Sequence, residues 1–167
     1  FLYSRIKKYK ILNIVDKNKS NLLLKSIEKK YPENNEVLSL IANNYRDQNK
    51  YDKAIKIYNK LIVQSENNYS YHYLKAICLD KLNRWEDSKK ILIKLISENP
   101  NDAYALNYLS YSMAIRDDDL IKAKKLITKA IEIEKNNGFF LDTLGWIQFK
   151  LNEIDKAVRS LQLAIEL

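Results

Sequence analysis

Apolar residues recur at i, i+3, i+4 and i+7 along most of the chain, the spacing that gives an α-helix one apolar face. A longer period lies over this one. Aligning the sequence with itself brings together Ala42, Ala76, Ser110 and Gly145, all small, at separations of 34, 34 and 35 residues. A second small column follows at Ala54, Ser88, Ala123 and Ala157, each three residues after a bulky Tyr51, Trp85, Leu120 or Ile154. Large residues recur behind it as Tyr58, Leu92, Ile127 and Leu161, then as Ile62, Ile96, Ile131 and Ile165. Each period holds two amphipathic stretches, so the unit is a helical hairpin, and the units are 35–68, 69–102, 103–137 and 138–167.

Pro100 follows the second helix of its unit, where a missing N–H stops a helix at little cost, and Pro32 stands two periods earlier. It marks residues 1–34 as a further, degenerate hairpin without the small columns, with a second helix around Leu22–Lys30. This hairpin is expected to pack on the next unit and shield its edge. The small columns have a physical reason: where two helices cross, side chains without bulk let the backbones approach. Gly145 interrupts an apolar helical pattern, at a cost of roughly 1 kcal/mol relative to alanine, and close packing offsets that cost.

Composition agrees with packed helices. The 167 residues are 46% hydrophobic and 30% charged, with only two glycines and two prolines, which argues against a turn-rich β fold. No apolar run is long enough to span a membrane. The fold class is all-α.

The chain resembles the tetratricopeptide repeat family. The similarity is closest in "LDTLGWIQFKLNEIDKAVRSLQLAIEL", where Leu141, Leu144, Gly145, Ala157, Leu161 and Ala164 stand on the motif's large and small positions. "KYDKAIKIYNKLI" and "RWEDSKKILIKLISENP" are similar, with Ala54 and Pro100 on motif positions. Departures are Lys75 and Gln148, where apolar and aromatic residues are usual, and one inserted residue around Arg116–Asp119. The resemblance implies a right-handed α-solenoid of stacked helical hairpins, whose first helices line a concave face. The run from Asn101 to Trp146 is further similar to bacterial members that often work in the cell envelope.

The inventory of reactive groups disfavours an enzyme. One histidine, one cysteine, no glycine-rich phosphate loop and no clustered His/Cys spacing leave no catalytic group, no cofactor site and no metal site to nominate. His72 aligns with Leu38, Leu106 and Leu141 and is expected to be packed or half-buried. Cys78 is expected to fill the core, and "RDDDL" to cap a helix rather than hold a cation. Charge is uneven. Of the formal +8, residues 1–34 carry +6, from nine basic against three acidic side chains.

The informative stripe lies on the first helices of the units. Tyr104, Asn107, Tyr108 and Tyr111 share one face, as do Phe139, Asp142, Trp146 and Phe149, while Tyr73 and Asp80 supply the preceding unit. On the concave side that the resemblance implies, Tyr73, Tyr104, Asn107, Tyr111, Phe139, Asp142, Trp146 and Phe149 would form an aromatic groove for a peptide or protein segment. Part of the stripe could instead pack between neighbouring units. Members that clamp a C-terminal carboxylate use lysines and asparagines, whereas Ser39, Asn43, Tyr73 and Ile77 stand here, which disfavours that ligand.

Two alternatives stay open. One is anion binding, on nucleic acid or an acidic membrane surface, through the basic first 34 residues; nucleic acid is disfavoured because the remaining units total only +2. The other is a structural role as an oligomerisation segment of a longer protein. Ile154, Val158, Leu161, Leu163, Ile165 and Leu167 leave the last helix apolar beyond what one neighbour covers. The expectation is a chain truncated before a capping helix, or self-association through this helix.

Overall fold

The computed structural model describes residues 1–65 and 68–167. Among the described residues there are ten α-helices and no strand. In chain order they are α1 (Leu2–Val15), α2 (Lys17–Lys30), α3 (Asn35–Asp47), α4 (Tyr51–Gln64) and α5 (Tyr69–Lys81), then α6 (Trp85–Glu98), α7 (Ala103–Ala114), α8 (Leu120–Ile133), α9 (Gly138–Lys150) and α10 (Ile154–Glu166). The architecture is an all-α helical repeat. The chain forms two compact units, Phe1–Arg84 and Trp85–Leu167, divided between α5 and α6. That division falls inside the expected 69–102 hairpin. Residues 66 and 67, at the end of the expected 35–68 hairpin, lie outside the described residues.

In the first unit α1 and α2 form a hairpin whose inner faces meet α3. Ile6, Tyr9, Leu24, Ile27, Val37 and Ile41 close into one buried cluster there. The second helix starts at Lys17, five residues earlier than its apolar run, because Asp16 caps it by accepting from the Lys19 N–H at 3.0 Å. This hairpin does carry a small-column residue. Ser20 stands one period before Ala54 and is wholly buried, its hydroxyl donating to the Lys17 carbonyl at 2.9 Å. In the next hairpin Ala42 and Ala54 are buried at the crossing, and the Tyr58 hydroxyl donates to Asn43 Oδ1 at 2.8 Å. Burial pushes the Tyr58 phenol well above its ordinary value.

The second unit shows how the small columns act. Ser110 is buried, and its hydroxyl donates to the Ala123 carbonyl at 2.8 Å across the α7–α8 crossing. At the equivalent α9–α10 crossing, a Cβ on Gly145 would lie 2.7 Å from Leu161 Cγ and 3.3 Å from the Ala157 carbonyl oxygen. Leu161 therefore occupies the space an alanine would need. Gln148, which replaces the usual aromatic residue, is buried and accepts from the Ser160 hydroxyl at 2.8 Å. A polar pair fills the gap.

Few glycines are needed because asparagine makes the tight turns. Asn49, Asn83 and Asn152 all adopt φ near +60° after a first helix, with values of 58°, 59° and 60°. The next residue's N–H then bonds back across the helix end, as Lys50 to the Tyr45 carbonyl and Glu153 to the Gln148 carbonyl, both at 2.8 Å. Asp117 takes this position after α7, with φ 55°. The inserted residue follows it, so that Asp119 can cap α8 by accepting from the Lys122 N–H at 3.0 Å. Its neighbours are ion-paired: Asp117 with Lys150 at 2.7 Å and Asp118 with Lys89 at 2.5 Å. The Lys89 hydrogen bond holds the Asp118 carboxyl below its ordinary value.

Candidate peptide-binding face

The first helices of the second unit, α7 and α9, pack side by side. Their inner faces are apolar and closed: Leu106, Leu109 and Met113 on α7, Phe140 and Ile147 on α9. The helical period therefore turns Tyr104 and Tyr111 outward on α7, and Phe139, Trp146 and Phe149 outward on α9. All five are exposed, Tyr111 and Trp146 least at 40% and Phe139 most at 83%. Trp146 and Phe149 stack at 5.6 Å with 25° between their planes, and the Lys150 ammonium lies 5.5 Å from the Trp146 ring centroid. Lys150 is itself tied to Asp117, so the aromatic pair has a fixed cationic rim.

Tyr104 and Phe139, which stand one period apart, have different surroundings. Tyr104 leans edge-on against the buried Phe140 at 5.6 Å and 75°, which gives it a packing role as well as an exposed edge. Phe139 instead turns toward α10. With Asp142 it borders a recess of about 630 Å³ floored by Gly138, Leu161 and Ala164 and edged by Ile165.

Asn107 lies between the two α7 tyrosines. Its Oδ1 is sealed from solvent and accepts no hydrogen bond. Such an acceptor costs about 1–3 kcal/mol unless a donor arrives. The sequence placed Asn107 on the stripe, but gave no sign that its oxygen would be sealed.

The stripe residues of α5 belong to the first unit. Tyr73 is half-buried there. Asp80, expected beside it on the open stripe, is buried in the last turn of α5, where the chain folds back and the Asn83 N–H bonds to the Asp80 carbonyl at 2.9 Å. His72 is half-buried and Cys78 buried. Desolvation raises the Cys78 thiol to about 11. Among the described residues no group of three or more His, Cys, Asp or Glu is placed to hold a metal ion, and no helix is long and apolar enough to cross a membrane.

Known proteins share the helical-repeat fold. A family model described as tetratricopeptide repeat matches residues 140–167, and one described as anaphase-promoting complex, cyclosome, subunit 3 matches residues 16–95. A TPR repeat-containing protein of Pseudomonas aeruginosa is 28% identical over 115 residues, which are 69% of this chain and 20% of that protein. One from Methanocaldococcus jannaschii is 27% identical over 118 residues, 71% of this chain and 20% of its own length. The chain carries repeats similar to tetratricopeptide repeats, matched directly by the family model in its last hairpin. It spans about a fifth of the length of these curated relatives. Among solved structures, a thermophilic TPR protein of Thermus thermophilus superposes with a TM-score of 0.81 at 15% identity, over 99% of this chain and 91% of that one. MamA from Desulfovibrio magneticus RS-1 gives 0.76 at 17% identity, over 99% and 94%. These likenesses establish the tetratricopeptide repeat fold.

Proposed function

We propose that the chain is a non-enzymatic scaffold whose second unit binds a peptide or protein segment along α7 and α9. Protein interaction in general follows from the repeat family; the named face is our reading. The observation that carries it is the exposed aromatic row of Tyr104, Tyr111, Trp146 and Phe149, in which Trp146 and Phe149 stack beside the Lys150 ammonium, with Asn107 as the polar residue between the tyrosines. A segment laid across this row would place apolar side chains on the aromatic rings. Asp142, exposed at the edge of the Phe139 recess, would accept a basic side chain or an N–H. The receptor face is held by packed helices, so little of the binding energy is lost in ordering it. Tyr73, the remaining residue expected in the groove, belongs to the first unit.

The test is to capture partners with the 167-residue chain and measure the affinity of the captured segment for variants. Trp146→Ala or Tyr111→Ala should each cost about 2 kcal/mol, with unchanged circular dichroism. Lys7, Lys8 and Lys10 replaced together by glutamine should cost much less. The opposite ranking, with binding that collapses on adding salt, would favour anion recognition by the basic first hairpin.

A second reading is supported by α10. Val158, Leu163, Ile165 and Leu167 are exposed, Ile165 at 85%, although Ile131 at the same place on α8 is half-buried. We infer that this face takes another helix or a second copy of the chain. Sedimentation of the wild-type chain and Ile165→Asp over a concentration series would separate the readings, since a monomeric wild type excludes self-association.

A further inference from the structure

Helix α1 carries two apolar stripes, and its hairpin uses only one of them. Leu2, Ile6 and Tyr9, at i, i+4 and i+7, turn inward to the cluster formed with α2 and α3. Tyr3, Ile11 and Ile14, at i, i+8 and i+11, form a second stripe with Val15 beside it, and these four side chains are 64–86% exposed. Helix α3, the first helix of the next hairpin, exposes no large apolar side chain. The open stripe is therefore a property of α1 and not of first helices in general.

The same stripe is basic. Lys7 stands between Tyr3 and Ile11, and its ammonium lies 4.5 Å from the Tyr3 ring centroid. Lys10 reaches toward α3, where Glu36 lies 4.0 Å away, so Lys7 and Lys8 are the charges on the open side. Lys17, also exposed, opens α2 just beyond Val15. Helix α1 itself holds four basic residues and no acidic one.

This mixture selects the occupant. A protein helix packed along the stripe would take the Lys7 ammonium out of water, and three aliphatic side chains offer nothing to a nucleic-acid backbone. A bilayer surface accepts both kinds of group at once. Rings and methyl groups enter the boundary between headgroups and acyl chains, while lysine stems lie along it and keep their ammonium groups among anionic headgroups.

We propose that the open stripe of α1 docks on an anionic lipid bilayer, with the helix lying in the plane of the membrane surface. Tyr3, Ile11, Ile14 and Val15 enter the interface, and Lys7, Lys8 and Lys17 meet the headgroups. Leu2, Ile6 and Tyr9 stay in the core, so the hairpin docks folded. The face belongs to the first unit and does not depend on the reading of α7 and α9 as a peptide-binding face.

The experiment is co-sedimentation of the 167-residue chain with vesicles of phosphatidylcholine, alone or mixed with phosphatidylserine. Binding to the mixed vesicles and not to phosphatidylcholine alone is expected, weakening as salt is added. Ile11→Gln/Ile14→Gln should weaken it about tenfold through lost apolar insertion, and Lys7→Gln/Lys8→Gln about tenfold through lost charge. All four side chains are exposed, so circular dichroism should not change. Lys122→Gln/Lys125→Gln on α8 should bind as the wild type does. The proposal fails if neither vesicle binds, if both bind equally, or if the isoleucine pair can be replaced without loss. It also fails if a polyuridylate oligonucleotide binds as tightly and displaces the vesicles, which would assign the basic hairpin to nucleic acid.

Discussion

Two tyrosines from each unit show the residue put to opposite uses. In the first unit Tyr9 and Tyr58 are buried, and desolvation raises both phenols. In the second, Tyr104 and Tyr111 are exposed beside Trp146 and Phe149. The residue type is the same, and its place within the 34-residue period decides. Tyr58 stands on a packing column of a second helix, shared with Leu92 and Ile127, whereas Tyr104 and Tyr111 stand on the outward stripe of a first helix. An aromatic ring in the first setting supplies stability. In the second it is left exposed.

The sharpest way to break this contrast is to truncate one ring from each class. Tyr58→Ala should cost about 3–5 kcal/mol of unfolding free energy, because a ring-sized cavity opens where nothing can collapse into it. Tyr111→Ala should stay within about 0.5 kcal/mol, as expected for an exposed position. Urea denaturation of both variants checks the pair, and equal losses would dissolve the distinction.

Gly145→Ala probes the crossing of the second unit. Alanine gains roughly 1 kcal/mol in helix propensity but meets Leu161, and overpacking costs about 1–3 kcal/mol. A net destabilisation of about 1 kcal/mol is expected. Trimming the obstacle as well, in Gly145→Ala/Leu161→Ala, should show a favourable coupling in a double-mutant cycle. Additive losses would mean that the two residues do not meet.

The turns allow a smaller and more general test. Asn152→Ala places a β-carbon at φ 60° without the local hydrogen bonding that lets asparagine tolerate it, and should cost about 1 kcal/mol. Asn152→Gly should be neutral or slightly stabilising by thermal melting. Asn49 in the first unit has the same conformation and should respond in the same way.

Smallest is the acid response of the charged turn in the second unit. The Asp118 carboxyl is held below its ordinary value first by its hydrogen bond to Lys89, and the Glu153 carboxyl by its hydrogen bond to Lys124. Each folded-state value is depressed, so the folded chain binds fewer protons than the unfolded one in that range. The stabilisation is present above the ordinary carboxylate range and is lost as pH falls below it. Asp118→Asn should flatten the loss of melting temperature between about pH 5 and pH 2, with little change at pH 7 because the pair is partly exposed.

Much of this protein was legible because a repeat states its rule several times. The small columns, the bulky residue opening each second helix and the outward aromatics are regularities along one helix or at one fixed separation, and such patterns survive in the sequence. Ser20 was not legible, because its hairpin shows no matching first-helix residue and only the packing of α1 on α2 buries it. Gln148 departs from the family pattern in the sequence, and only the structure shows Ser160, on the next helix, supplying its hydrogen bond.

What the sequence by itself determined is the all-α repeat, its hairpin period and the crossing residues, since these follow from the helical period and from side-chain volume. Tertiary structure decided which stripe positions remain open. Tyr104 gives part of its ring to Phe140, Asp80 is buried, and Asn107 and Asn21 keep buried oxygens without donors. The physical reason is that exposure and hydrogen-bond satisfaction depend on which atoms a neighbouring helix brings within a few ångströms. That distance is set by packing between helices and is not written in either helix alone.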